Sequence, residues 1–375
     1  MESGGNTSRR LIHFSPDGQR LLAIGGRVTN RTATWHDMLH PPSEVRVWNT
    51  ETGELNRPFP DMPGVLHGLA VSPDGSRVAA VLLQPEQAAA PTGRIGPGHV
   101  PRWEGTLLVW DARTWQVDRE LPFDTCPLDG DVVVFSPDGR LLAAGGESQT
   151  DTGFPAAAEI TVWKVASGKV WHRWEREGTG LQAIAFSPDG GRVAVALAAG
   201  GTRQAEVVEV TTWEVGSGAA GPDYRFTGAL GWASCVHFSP DGRVLAAGAS
   251  DGTLVLWDAA TARVLRGVRT DPGGLNGLAF SPNGELLATA GADGATHLWR
   301  LADLLAKGRV RPAASLVLAS GGRWLTYTPE GYYECSPDAE EMLRWRVGSD
   351  LLPAERLRDR FRQPLRVAAA LRADS

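Results

Sequence analysis

The chain of 375 residues is short of several things. Only three of its 37 basic residues are lysine (Lys164, Lys169, Lys307), it has 4 tyrosines, 4 methionines and 3 cysteines, and its net charge is −6. No long basic run offsets that acidic balance, so the electrostatic footprint of a nucleic-acid binder is missing. The cysteines, Cys126, Cys235 and Cys335, are odd in number and far apart. They form neither a disulfide framework nor paired zinc-ligand spacing. The opening residues MESGGNTSRR lack the apolar core of a signal peptide, and no run of 18 apolar residues exists. The expectation is a cytoplasmic protein that does not enter a membrane. A Gly-rich phosphate loop, a zincin motif and a serine-nucleophile elbow are also absent. No catalytic residue, metal ligand or cofactor is therefore expected.

What is abundant points to turns and strands. There are 45 glycines, 25 prolines and 14 tryptophans, and 42% of residues are apolar. Glycine and proline are poor in helix interiors and common in turns. Enough apolar residues remain to bury a large core, which argues against disorder. So many tryptophans suggest one tryptophan recurring in a repeated unit.

The repeat is legible. SPDG starts at Ser15, Ser72, Ser136, Ser187 and Ser239, and SPNG at Ser281. Each copy sits between two short apolar runs, which reads as a β-hairpin. Proline presets the first central turn position, and Asp-Gly supplies a local hydrogen bond and a residue with positive φ. An alternating strand ending in tryptophan follows: VRVW, TLLVW, ITVW, VTTW, LVLW and THLW. From each serine to that tryptophan the separations are 33, 38, 27, 26, 18 and 18 residues; from tryptophan to the next serine they are 24, 26, 24, 26 and 24. All the variation therefore falls on one side of the tryptophan. A seventh unit is expected at Thr328-Pro329-Glu330-Gly331, with RWLTYT, YYECS and LRWRV as its first three strands. The fold expected is all-β: a seven-bladed β-propeller of four-stranded antiparallel blades over residues 1–347, with a short C-terminal helical tail over 348–375.

FSPDG, the LLAxGG that follows it, and Val109-Trp110-Asp111 or Val47-Trp48-Asn49 resemble the WD-repeat family. Units five and six are nearest to its pattern, with Asp251-Gly252 and Asp293-Gly294 in the turn before the third strand. One departure is that the family's Gly-His pair before the first strand is missing, so its usual hydrogen-bond network lacks the histidine. The last unit, TPEGYYECSP followed by LRWRVG, resembles the closing segment of bacterial WD-repeat proteins associated with caspase-like proteases. That resemblance implies a caspase-like protease as partner, in stress response or defence; no Cys–His pair of that kind is found in this chain.

The long insertions lie between second and third strands in units one to three, at roughly 27–43, 84–105 and 147–158. Neighbouring blades would set them as a crescent on one face, and loops this long usually carry function or are disordered. They hold Trp35, His36, Arg94, His99, Arg102, Trp103 and Phe154, and Trp232 is expected on the same face. Aromatic and arginine side chains are favoured anchors for a protein or peptide partner; the other reading is that they seal their own loops. His13 and His237 share one repeat position and are expected to pack. Cys235 and His237 stand two apart without an orienting acid. The function expected is a non-catalytic interaction or sensing scaffold, the alternative being a hydrolase or lyase with a site in the central channel.

In the tail, Ser349 or Asp350 could cap a helix with Pro353 in its first turn, made basic by Arg356, Arg358, Arg360, Arg362 and Arg366. The N-terminus is too short to donate the usual closing strand. Either Leu365–Leu371 supplies it or the last blade has three strands.

Overall fold

The computed structural model describes residues 11–26, 43–52, 54–56, 65–85, 103–123, 125, 132–149, 155–177, 179–199, 207–319 and 323–372. Strands dominate them, and the first twenty build five four-stranded sheets, each paired in chain order. The first sheet holds β1 (Leu11–Phe14), β2 (Arg20–Gly26), β3 (Ser43–Asn49) and β4 (Leu55–Asn56). The second holds β5 (Val65–Val71), β6 (Arg77–Pro85), β7 (Trp103–Asp111) and β8 (Val117–Phe123). The third holds β9 (Val133–Phe135), β10 (Leu141–Gln149), β11 (Pro155–Lys164) and β12 (Val170–Glu177). The fourth holds β13 (Thr179–Phe186), β14 (Arg192–Ala199), β15 (Val208–Glu214) and β16 (Ala220–Phe226). The fifth holds β17 (Ala233–Phe238), β18 (Val244–Ala249), β19 (Thr253–Asp258) and β20 (Val264–Arg269).

The chain divides into two compact units, residues 1–205 with 209–223, and residues 206–208 with 224–375. In the first, β1 lies against β5, β5 against β9 and β9 against β13. In the second, β17 lies against β21 (Leu275–Phe280).

The repeated turn works as its chemistry dictates. In all six copies the serine hydroxyl donates to the following Asp or Asn Oδ1, at 2.5–2.7 Å. The amide five residues after the serine donates back to Oγ at 2.8–2.9 Å. The glycine has φ between 68° and 74°, the left-handed region that a side chain resists. Donation from Ser72 holds the Asp74 carboxyl down at about 2. These aspartates are turn chemistry, as are Asp111 and Asp258 after the repeat tryptophan, whose Oδ1 atoms accept the amides of Thr114 and Thr261.

Inner strands covered on both faces, such as β18 and β19, are buried almost continuously, whereas outer strands such as β8 alternate near their end. Trp110, Trp163 and Trp257 are fully buried, and Trp213 and Trp299 nearly so. Trp174 stacks on Trp213 at 5.4 Å, and its indole N–H donates to the Gly218 carbonyl, tying sheet three to sheet four. Full burial of each Leu or Val removes roughly 1.5–3 kcal/mol of apolar surface from water. Stability is thus spread along the sheets.

The last units depart from expectation. The sixth sheet has six strands: β21, β22 (Leu286–Gly291), β23 (Ala295–Arg300), β24 (Ala314–Ala319), β25 (Arg323–Tyr327) and β26 (Tyr333–Cys335). The first two strands of the expected seventh blade therefore continue the sixth sheet. Its third, β27 (Arg344–Val347), pairs only with β28 (Asp350–Pro353) in a separate two-stranded sheet. The reason is local: a 3-10 turn over Pro337–Met342 separates β26 from β27, and Gln363 N–H takes the Tyr333 carbonyl that a third strand would use.

The tail is corrected likewise. Asp350 opens a strand instead of capping a helix, and a 3-10 turn follows at Ala354–Leu357. Among the described residues the α-helical segments are the short α1 (Leu301–Leu305), before the tail, and α2 (Arg358–Phe361) and α3 (Pro364–Leu371) within it. The stretch considered as a closing strand, Leu365–Leu371, is thus helical, with Pro364 at its first turn where a missing N–H costs nothing.

Candidate functional site

The three insertions occupy the places their spacing implies. The β2–β3 ladder runs out to Gly26 opposite Ser43, the β6–β7 ladder to Pro85 opposite Trp103, and the β10–β11 ladder to Gln149 opposite Pro155. All three leave second-to-third-strand hairpins of sheets whose first strands are neighbours. Trp35, His36, Arg94, His99, Arg102 and Phe154 lie outside the described residues. Trp103 opens β7 at the loop root. Trp232 is half-buried just before β17, and its carbonyl accepts the Ser250 amide at 3.0 Å. Beside it, Leu230 is 79% exposed while its amide donates to Asp251. Cys235 is buried in β17, out of reach of a substrate; His237, two residues on, pairs across the ladder with Ala246.

Three polar clusters were not legible as such. The first joins Asp271, Asp293 and His297, one ligand atom of each lying within 4.8 Å of the others. Before β21, where the family's Gly-His pair is missing, stands Asp271, which is 2% exposed. Its Oδ1 accepts the amides of Gly273 and Gly274, so the loop wraps its own carboxylate. Burial opposes ionisation of Asp293, in the β22–β23 turn, but the Ala295 amide, His297 and Asp271 outweigh it and lower its carboxyl. His297 Nε2 meets Asp293 Oδ2 at 2.9 Å and Nδ1 meets Ser315 Oγ at 2.8 Å. Trp299, two residues on, donates to Thr289 Oγ1 at 2.9 Å.

The second cluster centres on Glu340, 4% exposed in the 3-10 turn after β26. It accepts from the Tyr333 hydroxyl at 2.7 Å, from Arg358 at 2.7 and 2.8 Å, and from Arg362 at 3.2 Å. The Arg358 bond, foremost, lowers the Glu340 carboxyl, while burial pushes the Tyr333 phenol up. Around it pack Tyr333, Cys335, Ala339, Trp345 and Phe361, with Trp345 and Phe361 rings 4.5 Å apart. The third is Glu147 near the end of β10, 5% exposed, its carboxyl pushed up to about 7 by burial alone.

A fold of repeated antiparallel four-stranded hairpin sheets, each with a Ser-Asp turn and a repeat tryptophan that is half-buried in the first sheet and buried in the next four, defines a class of repeat protein. Comparison with known proteins agrees: residues 222–258 and 263–300 match the model "WD domain, G-beta repeat". The chain is 26% identical over 167 residues to WD repeat-containing protein SL1-17 of Schistosoma mansoni, covering 43% of this chain and 46% of that one. It is 32% identical over 111 residues to WD repeat-containing protein 91 of Rattus norvegicus, covering 27% of this chain and 14% of that one. The chain thus spans less than half the length of either relative. These matches support a WD-repeat assignment, and WD-repeat proteins generally act as protein-interaction scaffolds. No helix among the described residues is long and apolar enough to cross a membrane.

Proposed function

We propose that this chain is a non-catalytic, cytoplasmic interaction scaffold of bacterial signalling, with a seven-repeat propeller over residues 1–347 and a tail over 348–375. It captures a protein or peptide on the insertions of its first three repeats, and acts as a partner or regulator of a caspase-like protease. The observation carrying this reading is the strand register. Three long insertions, the first two carrying Trp, His and Arg and the third Phe154, leave equivalent hairpins of neighbouring sheets, so paired strands present all three. Trp35, His36, Arg94, His99, Arg102, Trp103, Phe154 and Trp232 are the proposed anchors. The protease context rests on the resemblance of the TPEGYYECSP…LRWRVG segment.

The test is affinity capture from the native host with wild type and the double variant Trp35→Ala/Trp103→Ala, read by mass spectrometry. The reading expects capture by wild type and its loss in the variant at nearly unchanged melting temperature. A large fall in melting temperature assigns the tryptophans to sealing their loops, and recovery of no protein by wild type ends the scaffold reading.

A further inference from the structure

The Asp271–Asp293–His297 cluster has a design that turn chemistry alone does not demand. Each member spends one polar atom on anchoring. Asp271 Oδ1 takes the amides of Gly273 and Gly274, Asp293 Oδ1 takes the amide of Ala295 at 2.8 Å, and His297 Nδ1 meets Ser315 Oγ. That leaves Asp271 Oδ2, Asp293 Oδ2 and His297 Nε2. Asp293 Oδ2 and Nε2 face each other at 2.9 Å, and Asp271 Oδ2 takes the Asp293 amide at 3.5 Å, the outer limit of a hydrogen bond. Asp271 is nearly inaccessible, and its carboxylate reaches the Asp293 carboxylate. Arg269, which ends β20, turns its guanidinium to the carbonyls of Asp271 and Pro272, leaving the three side-chain ligand atoms to face one another.

We propose that these three residues form a binding site for a divalent transition-metal ion of the zinc type. One imidazole and two carboxylates are a donor set suited to that class, and three protein ligands leave one position for water or a partner's side chain. The side chains of His297 and Asp293 keep 13% and 27% of their surface exposed, so the site opens outward on that side. Ser315, paired directly opposite His297 across β23 and β24, holds the ring by its other nitrogen, as second-shell groups do. Gly291 completes the site: a methyl group there would collide with the Asp271 carboxylate oxygen. Binding replaces the His297 Nε2–Asp293 Oδ2 hydrogen bond by bonds from both atoms to the ion, the proton between them passing to solvent. The three ligand atoms move inward to metal distances of about 2.0–2.2 Å.

The experiment uses the untagged full chain, stripped with chelator and titrated with zinc against a chromophoric competitor. Wild type should bind one equivalent at this site. His297→Gln and Asp271→Asn, the latter keeping an oxygen for the loop amides, should each weaken that equivalent by tenfold or more. Ser315→Ala, acting by positioning, should weaken it by about tenfold. A second measurement stands whether or not those variants fold. In wild type labelled with 15N-histidine, zinc should shift His297 Nε2 while Nδ1 keeps its proton. No zinc uptake by wild type, an unmoved His297 resonance, or equal affinity in folded His297→Gln and wild type would overturn the proposal.

Discussion

Replacing Glu340 with alanine should free the C-terminal tail while leaving the sheets before it intact. The carboxylate is the common acceptor of three donors, two of which come from the tail at Arg358 and Arg362. Removing it strands the Tyr333 hydroxyl, on a residue only 2% exposed, at a cost of roughly 1–3 kcal/mol. The arginines lose less. Their side chains are 47% and 31% exposed and rehydrate readily, so they add little. The tail therefore loses about 1–3 kcal/mol of local stability. Because the chain forms two compact units, a single global transition is a poor readout. Trypsin cleavage at Arg356–Arg362 reports the open population directly. A loss of 2 kcal/mol raises that rate by roughly 30-fold. Glu340→Gln should fall between wild type and alanine, since its oxygen still accepts from Tyr333. The depressed carboxyl stabilises the tail at neutral pH and ceases to do so as pH falls through its folded value, so acid should accelerate cleavage in wild type and not in the alanine variant. A change below about threefold would refute the reasoning and leave the apolar contacts of Phe361 and Val367 as the tail's real anchor.

Other expectations concern the sheets. Burial raises the Glu147 carboxyl from 4.5 to about 7, so the folded state binds that proton more tightly than the unfolded one. Stability should therefore fall as pH rises from about 4.5 to 7 and stay level above; Glu147→Gln should flatten this and recover up to about 3 kcal/mol at pH 8, read from melting temperatures across pH. Tyr224→Phe, which deletes a buried hydroxyl donating to the Ala259 carbonyl at 2.7 Å, should cost about 1 kcal/mol in urea denaturation. Gly242→Ala forces a side chain into φ +71° and should cost about 1 kcal/mol, again by denaturation, whereas the same change at Gly216, which has no neighbour within 4 Å and no positive φ, should cost less.

Much of the fold was legible because its information is local. SPDG specifies a turn through bonds spanning two to five residues, and the near-constant offset of 24–26 residues from each tryptophan to the next turn places each third strand. The loop roots at Gly26/Ser43, Pro85/Trp103 and Gln149/Pro155 follow from the same arithmetic. The metal-type cluster was not legible, since Asp271 and His297 are 26 residues apart and met only when the loop before β21 folded back on the β22–β23 turn. Asp293 was read correctly as a turn residue, and its second oxygen acquired a partner only in space.

By itself, then, the amino-acid order determined the hairpin unit, the five Ser-Asp turns and one Ser-Asn turn, the buried tryptophans and the hairpins that carry insertions, all through contacts between near neighbours in the chain. Only the tertiary structure decided how the end of the chain is used. There, β25 and β26 join the sixth sheet, β27 finds β28, and α3 forms where a closing strand was conceivable. Those outcomes turn on which backbone edge wins each carbonyl and on whether Glu340 finds its arginines. That competition is between segments distant in sequence, and no local pattern encodes its result.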